Sequence, residues 1–102
     1  MQDVIKDLVK TIKERKNSSV DKSYTASLLE GGISKCVNKL EEEFDELKEA
    51  LNKKNNEVHE AADMLYHLLV ALEAANIKFD DILLELEKRK KYSGIEEKKK
   101  RS

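Results

Sequence analysis

Residues 57–75 constrain the fold of this chain more than any other stretch. Ala61, Ala62, Met64, Leu65, Tyr66, Leu68, Leu69, Val70, Ala71 and Leu72 fall on every side of a helical projection. A helix over 57–75 therefore keeps almost no polar face and has to run through the centre of whatever the chain builds. The whole sequence is 102 residues long and 39% hydrophobic, enough for one small domain whose core stays thin in a lone chain. A second subunit is expected to cover what the first cannot, so the sequence predicts a homodimer.

The remaining segments predict further helices. Val4, Ile5, Leu8, Val9 and Ile12 recur at helical spacing and predict an amphipathic helix over about residues 2–16. Residues 20–29 hold several cap-forming side chains and few periodic ones, which predicts a loop with one short helical turn, followed by a hinge at Gly31-Gly32. From Ile33 the series Val37, Leu40, Phe44, Leu47, Leu51 predicts a long helix fraying at residues 52–56. Phe79, Ile82, Leu83 and Leu86 predict a last helix ending near Lys91. The absence of proline and the presence of only three glycines agree with an all-α bundle of four to five helices, read as one domain over 1–91 with a basic tail over 92–102.

The charge pattern narrows the function classes. Charged residues make up 40% of the chain, yet the formal net charge is −1 and the signs are interspersed, which argues against a nucleic-acid binder relying on excess basic charge. The N-terminus alternates charged and apolar residues, so neither a secretory signal nor a membrane span is expected there, and the expected compartment is the cytoplasm. The single Cys36 lies on an apolar stripe and is read as a small hydrophobe.

Two acidic segments carry the chemistry. The run over 41–46 and the pair Glu60/Asp63 each set carboxylates three residues apart on a helix, so two such helices packed face to face present oxygen ligands to one point. That is a donor set for Mg²⁺, and Mg²⁺ commonly serves phosphate chemistry. Taking Leu40 as the centre of the apolar face, Glu43 lies about 60° and Glu46 about 120° away on one flank, while Glu42 and Asp45 lie about 140–160° off. Glu43 and Glu46 are then the inward pair, and Glu42 reaches the site only from its edge. An acidic run is ordinarily a solvated face, and that reading stands beside the functional one for 41–46. Glu60 and Asp63 are harder to dismiss, because acids sunk in an apolar surface need a cation or a proton. His67 shares their stripe; the ordinary reading is a hydrogen-bonded core histidine, the other a support or base for the site.

The order ERK, SYTASLLEGG, KLEEEFDEL, HEAADMLYHLLVAL and YSGIEEKKKR resembles the phosphoribosyl-ATP pyrophosphohydrolase family over nearly the whole chain. The acid spacing alone is shared with the broader MazG-like, all-α nucleotide pyrophosphohydrolases. The resemblance implies a Mg²⁺-dependent hydrolysis of phosphoribosyl-ATP to phosphoribosyl-AMP and pyrophosphate, the second step of histidine biosynthesis, with water attacking the α–β linkage. It implies Glu43, Glu46, Glu60 and Asp63 as metal ligands and Glu42 as the first member of the acidic pair, with Glu42 or Glu46 accepting the proton of the water. It sets Arg15, Lys16, Tyr24, Thr25 and Lys39 at positions that hold phosphate or ribose groups. Glu41 and Glu49 depart from the small and apolar residues more usual at their positions. A MazG-like enzyme for another nucleoside triphosphate and a helical dimerisation scaffold are the alternatives.

Overall fold

The computed structural model describes residues 3–90, and the tail over 92–102 lies outside them. Five helices follow in order: α1 (Val4–Arg15), α2 (Tyr24–Glu30), α3 (Gly32–Lys53), α4 (Glu57–Ala74) and α5 (Phe79–Lys90). Among the described residues there is no strand, as expected of an all-α chain. The segment over 20–29, expected to hold a single turn, instead carries the seven-residue α2. Ser23 caps it, its hydroxyl accepting the Ala26 N–H at 3.1 Å, and such a cap satisfies an end donor that a short helix has no propensity to spare for. The chain then turns at Gly32, whose φ of +80° suits glycine alone.

The long helices α3 and α4 form a hairpin, the most extensive packing in the chain. Lys54 and Asn56 turn it with φ values of 56° and 61°, and the Asn55 N–H closes the end of α3 on the Ala50 carbonyl. At the far end of α4, Asn76 adopts the same left-handed conformation, with Ile77 N–H on the Leu72 carbonyl and Asn76 N–H on the Glu73 carbonyl. Asparagine tolerates this region better than most residues, which fixes both ends of α4 by local chemistry.

The core gathers Ile12 of α1, Leu28 of α2, Cys36 of α3, and Leu69 and Val70 of α4. It occupies only one end of the hairpin, the end on which α1 and α2 pack. Cys36 donates its thiol to the Leu28 carbonyl at 3.3 Å, and burial pushes its pKa up, in keeping with an inert packing role.

Two expectations about burial need correction. Only part of the apolar series of α3 faces inward: Leu40 and Leu47 are half-buried, whereas Ile33, Val37, Phe44 and Leu51 are exposed, Phe44 by 50%. The helix instead turns inward the flank that carries Cys36, Glu43 and Ala50, where two small side chains allow close approach to α4. Likewise α4 is not covered on most sides, since only His67, Leu69 and Val70 are buried and Val58 is 85% exposed. Both corrections have one physical cause: the apolar surface of a chain this short exceeds what its own helices can cover. No helix among the described residues is long and apolar enough to cross a membrane.

Candidate active site

The inward flank of α3 brings Glu43 and Glu46 against Glu60 near the start of α4, one turn in from the hairpin loop. One carboxylate oxygen from each of the three lies within 4.8 Å of the other two. Three like charges at that separation repel strongly unless something neutralises them. The Glu43 and Glu60 side chains are only 15% and 16% exposed, and each buries its Oε2 without a hydrogen-bond partner. Burial raises the Glu43 pKa above the usual carboxylate value, aided by the hydrogen bond and the charge that Glu46 contributes. Two orphaned, buried carboxylate oxygens beside a third carboxylate form an oxygen donor set that a hard divalent cation such as Mg²⁺ satisfies. A cavity of about 280 Å³ opens beside them, lined by Glu46, Glu60, Ala50, Lys53 and the loop residues Asn55 and Asn56.

Asp63 lies one turn further along α4, 40% exposed in its side chain, and belongs to a neighbouring group with Glu60 and His59. His59 Nε2 is 3.2 Å from Asp63 Oδ2. Sequence reasoning did not single out His59, although its i, i+4 spacing to Asp63 was visible.

His67 is buried and joins three parts of the site. Its Nδ1 faces the Asp63 carbonyl at 2.9 Å, a group that can only accept, so in the neutral ring Nδ1 carries the proton. Nε2 is then the acceptor for the Tyr24 hydroxyl at 3.1 Å. Glu43 Oε1 stands 3.9 Å from Nδ1. The ring also meets those of Tyr24 and Tyr66 edge-on, and the Thr25 and Tyr66 hydroxyls bond to each other. These contacts fasten α2 to α4 directly beside the acids. Burial raises the Tyr24 pKa, while the nearby Lys39 cation works in the opposite direction.

The other candidate residues divide by position. Glu42 is exposed and pairs with Lys39 at 3.6 Å, so both stand at the rim near Tyr24. Asp45, Glu41 and Glu49 face solvent. Lys16 is engaged elsewhere, bound to Glu73 at 2.6 Å. Glu73 follows Glu60 by more than three helical turns, about 20 Å along α4, so the structure does not bring Lys16 to the acids. Arg15 is exposed at the end of α1, beside Lys16 in sequence.

The chain is also similar in sequence to known proteins. A profile of the phosphoribosyl-ATP pyrophosphohydrolase family matches residues 5–90. The chain is 42% identical over 97 residues to the phosphoribosyl-ATP pyrophosphatase of Rhizobium etli, covering 93% of this chain and 91% of that protein. It is 44% identical over 101 residues to the phosphoribosyl-ATP pyrophosphatase of Geobacter metallireducens, covering 97% and 93%. It is also 40% identical over 100 residues to a histidine-biosynthesis bifunctional protein of Helicobacter hepaticus, covering 96% of this chain and 43% of the larger protein. By this match over most of its length, the chain belongs to the phosphoribosyl-ATP pyrophosphohydrolase family.

Proposed function

We propose that the protein hydrolyses 1-(5-phosphoribosyl)-ATP to 1-(5-phosphoribosyl)-AMP and pyrophosphate, the second step of histidine biosynthesis, with Mg²⁺ held by Glu43, Glu46, Glu60 and Asp63. One observation carries the metal assignment: the paired orphan oxygens of Glu43 and Glu60 beside Glu46. Bound Mg²⁺ would neutralise the phosphate oxygens and lower the pKa of a water. The residues of the chain supply the rest. Glu46 is exposed and lines the cavity, so its carboxylate can accept a proton from water approaching the α–β linkage; Glu42 offers a second carboxylate at the rim. Lys39, close to Tyr24, adds a cation for the charge that builds up on the transferring phosphoryl group. Tyr24 and Thr25, held by His67 and Tyr66, form the wall that a ribose or base can lie against.

The working unit on this reading is a homodimer. Ile33, Val37, Leu40, Phe44, Leu47 and Leu51 follow each other at alternating spacings of four and three, the seam of a helix-to-helix contact, yet four of them are exposed, along with Val58 and Leu65 of α4. A surface of that kind supports burial by a second copy. Light scattering at micromolar protein is expected to give the mass of a dimer, and a monomer would overturn this part of the reading. The compartment on this reading is the cytoplasm, in keeping with a lone buried cysteine that is unbridged.

The activity is tested by pyrophosphate release from phosphoribosyl-ATP with Mg²⁺, run beside ordinary nucleoside triphosphates and an EDTA control. Turnover of phosphoribosyl-ATP that EDTA abolishes is the expected result. Turnover of ordinary triphosphates alone would assign the chain to another MazG-like activity, and no turnover would leave a helical scaffold.

A further inference from the structure

The direction of one proton beside the acids follows from the helix that carries them. The Asp63 carbonyl can only accept, so it fixes the neutral His67 ring with its proton on Nδ1, 2.9 Å away. Nε2 is left as an acceptor, and its partner at 3.1 Å is the Tyr24 hydroxyl. Tyr24 therefore gives its single proton to His67, and burial, which raises its pKa, keeps that proton in place. The Tyr24 oxygen retains only lone pairs for a third group, so a ligand that meets it has to bring a hydrogen.

For a nucleotide this is selective. Phosphate oxygens are acceptors, so Tyr24 is not suited to hold phosphate, although it stands near the acids. Position decides which donor it meets. One imidazole ring separates the Tyr24 hydroxyl from Glu43, whose Oε1 is 3.9 Å from His67 Nδ1. His67 follows Glu60 by seven residues, about 10 Å along α4. With a polyphosphate at the acids, the part of a nucleotide that comes directly after the α-phosphate is the ribose, and its 2′- and 3′-hydroxyls are donors. The Thr25 and Tyr66 hydroxyls bond to each other, and whichever donates, the other keeps a proton. Tyr66 stacks on Tyr24 with ring centroids 6.5 Å apart, so the wall offers an acceptor and a spare donor, the pattern that a hydroxyl group satisfies in both senses. Tyr24 is 55% exposed, which leaves it open to a ligand. Lys39, the cation that acts on Tyr24, lies against Glu42 at 3.6 Å.

We propose that Tyr24, held as an acceptor by His67, reads a ribose hydroxyl of the bound nucleotide, so that the site prefers ribonucleotides to their deoxy counterparts. Tyr24 makes the contact, and His67 is a positioning residue that acts through it. This rests on the reading of the acids as the place where the triphosphate is held. The competing account is structural: the bond to His67 only pins α2 to α4.

The test compares each protein with itself. For the wild type and Tyr24→Phe, kcat/KM is measured with Mg²⁺ for phosphoribosyl-ATP and for analogues lacking the 2′- or the 3′-hydroxyl of the triphosphate-bearing ribose. ATP, 2′-deoxy-ATP and 3′-deoxy-ATP form a second set, and pyrophosphate is run as an inhibitor. A ratio taken within one protein cancels any loss of folded enzyme. The wild type is expected to prefer the ribo form by about tenfold or more over one of the analogues, and Tyr24→Phe to lose that preference while the inhibition constant of pyrophosphate stays the same. A purely structural bond would lower every rate together and leave the ratio intact. That result, or a wild type without preference, would overturn the assignment, as would weaker pyrophosphate inhibition in Tyr24→Phe, which would make the hydroxyl a phosphate donor. Preference seen in the ATP set alone would uphold the contact and move the chain to another nucleotide. Turnover of phosphoribosyl-ATP without preference would leave the substrate reading standing and remove this one, and absence of turnover in both sets would overturn both.

Discussion

Replacing Glu43 with glutamine should make the metal-free protein more stable and the enzyme inactive, and the size of the first effect can be worked from the site. Glu43 buries Oε2 without a partner, a defect that costs about 1–3 kcal/mol and more when the group is charged. It also faces the Glu46 and Glu60 carboxylates within 4.8 Å. At an effective dielectric constant of about 20, one such contact costs roughly 3 kcal/mol, and solvent around the exposed Glu46 reduces its share to about 1 kcal/mol. Glutamine keeps the shape, removes the charge and can donate to Glu46. Allowing for the amide oxygen that stays buried, a net gain of about 1–2 kcal/mol is expected in EDTA, or roughly 5–15 °C in Tm for a domain of this size.

The pH dependence has a definite sign. Because folding raises the Glu43 pKa, the folded state binds this proton more tightly than the unfolded chain does. Metal-free wild type should therefore gain stability as pH falls through the raised value towards the ordinary carboxylate value, and Glu43→Gln should flatten that part of the profile. Mg²⁺ at about a hundred times its Kd should stabilise the wild type by about 2.7 kcal/mol and the variant by far less. Turnover of phosphoribosyl-ATP should fall by at least about a hundredfold, equivalent to roughly 2.7 kcal/mol of transition-state stabilisation. Urea and thermal unfolding with and without EDTA, together with steady-state kinetics, check each point. A variant that is less stable than wild type in EDTA, or that keeps its turnover, refutes the reasoning.

Tyr24→Phe removes the donor to His67 Nε2, so a loss of about 1 kcal/mol is expected by urea unfolding, with a raised KM if Tyr24 also lines the substrate. Leu28→Ala empties the most completely buried position of the core and should cost about 2–4 kcal/mol; a loss under 1 kcal/mol would show that α2 is not held as described. Lys54→Gly relieves a left-handed residue in the hairpin loop and should raise stability by about 0.5–1 kcal/mol, measured as a higher urea midpoint at unchanged slope.

What the sequence disclosed, and what it hid, follows from how helical periodicity works. Periodicity places residues around an axis, and wherever the environment was decided around the axis the reading was close. The expected helix over 57–75 is α4 (Glu57–Ala74), and Glu43 and Glu46 share the flank of α3 that approaches Glu60. Three things escaped. The short α2 has too few turns for a period to register, and its stability comes from the Ser23 cap and from Leu28 in the core. The choice between two adjacent flanks of α3 depends on which neighbour covers which side: Cys36 and Ala50 are small enough to meet α4 closely, so Ile33, Val37, Phe44 and Leu51 face outward while Leu40 and Leu47 stay half-buried. Position along the axis is discarded altogether by a helical projection. In projection α4 is apolar on every side with two acids embedded in it. In the fold its properties separate lengthwise, with Glu60 and Asp63 towards the hairpin loop and Leu69 and Val70 at the end covered by α1 and α2. Six residues part Asp63 from Leu69, about 9 Å of helix. That separation lets carboxylates repel one another at one end of the hairpin while the other end holds the fold together. It is also why neutralising Glu43 is expected to silence the chemistry and leave the helices in place.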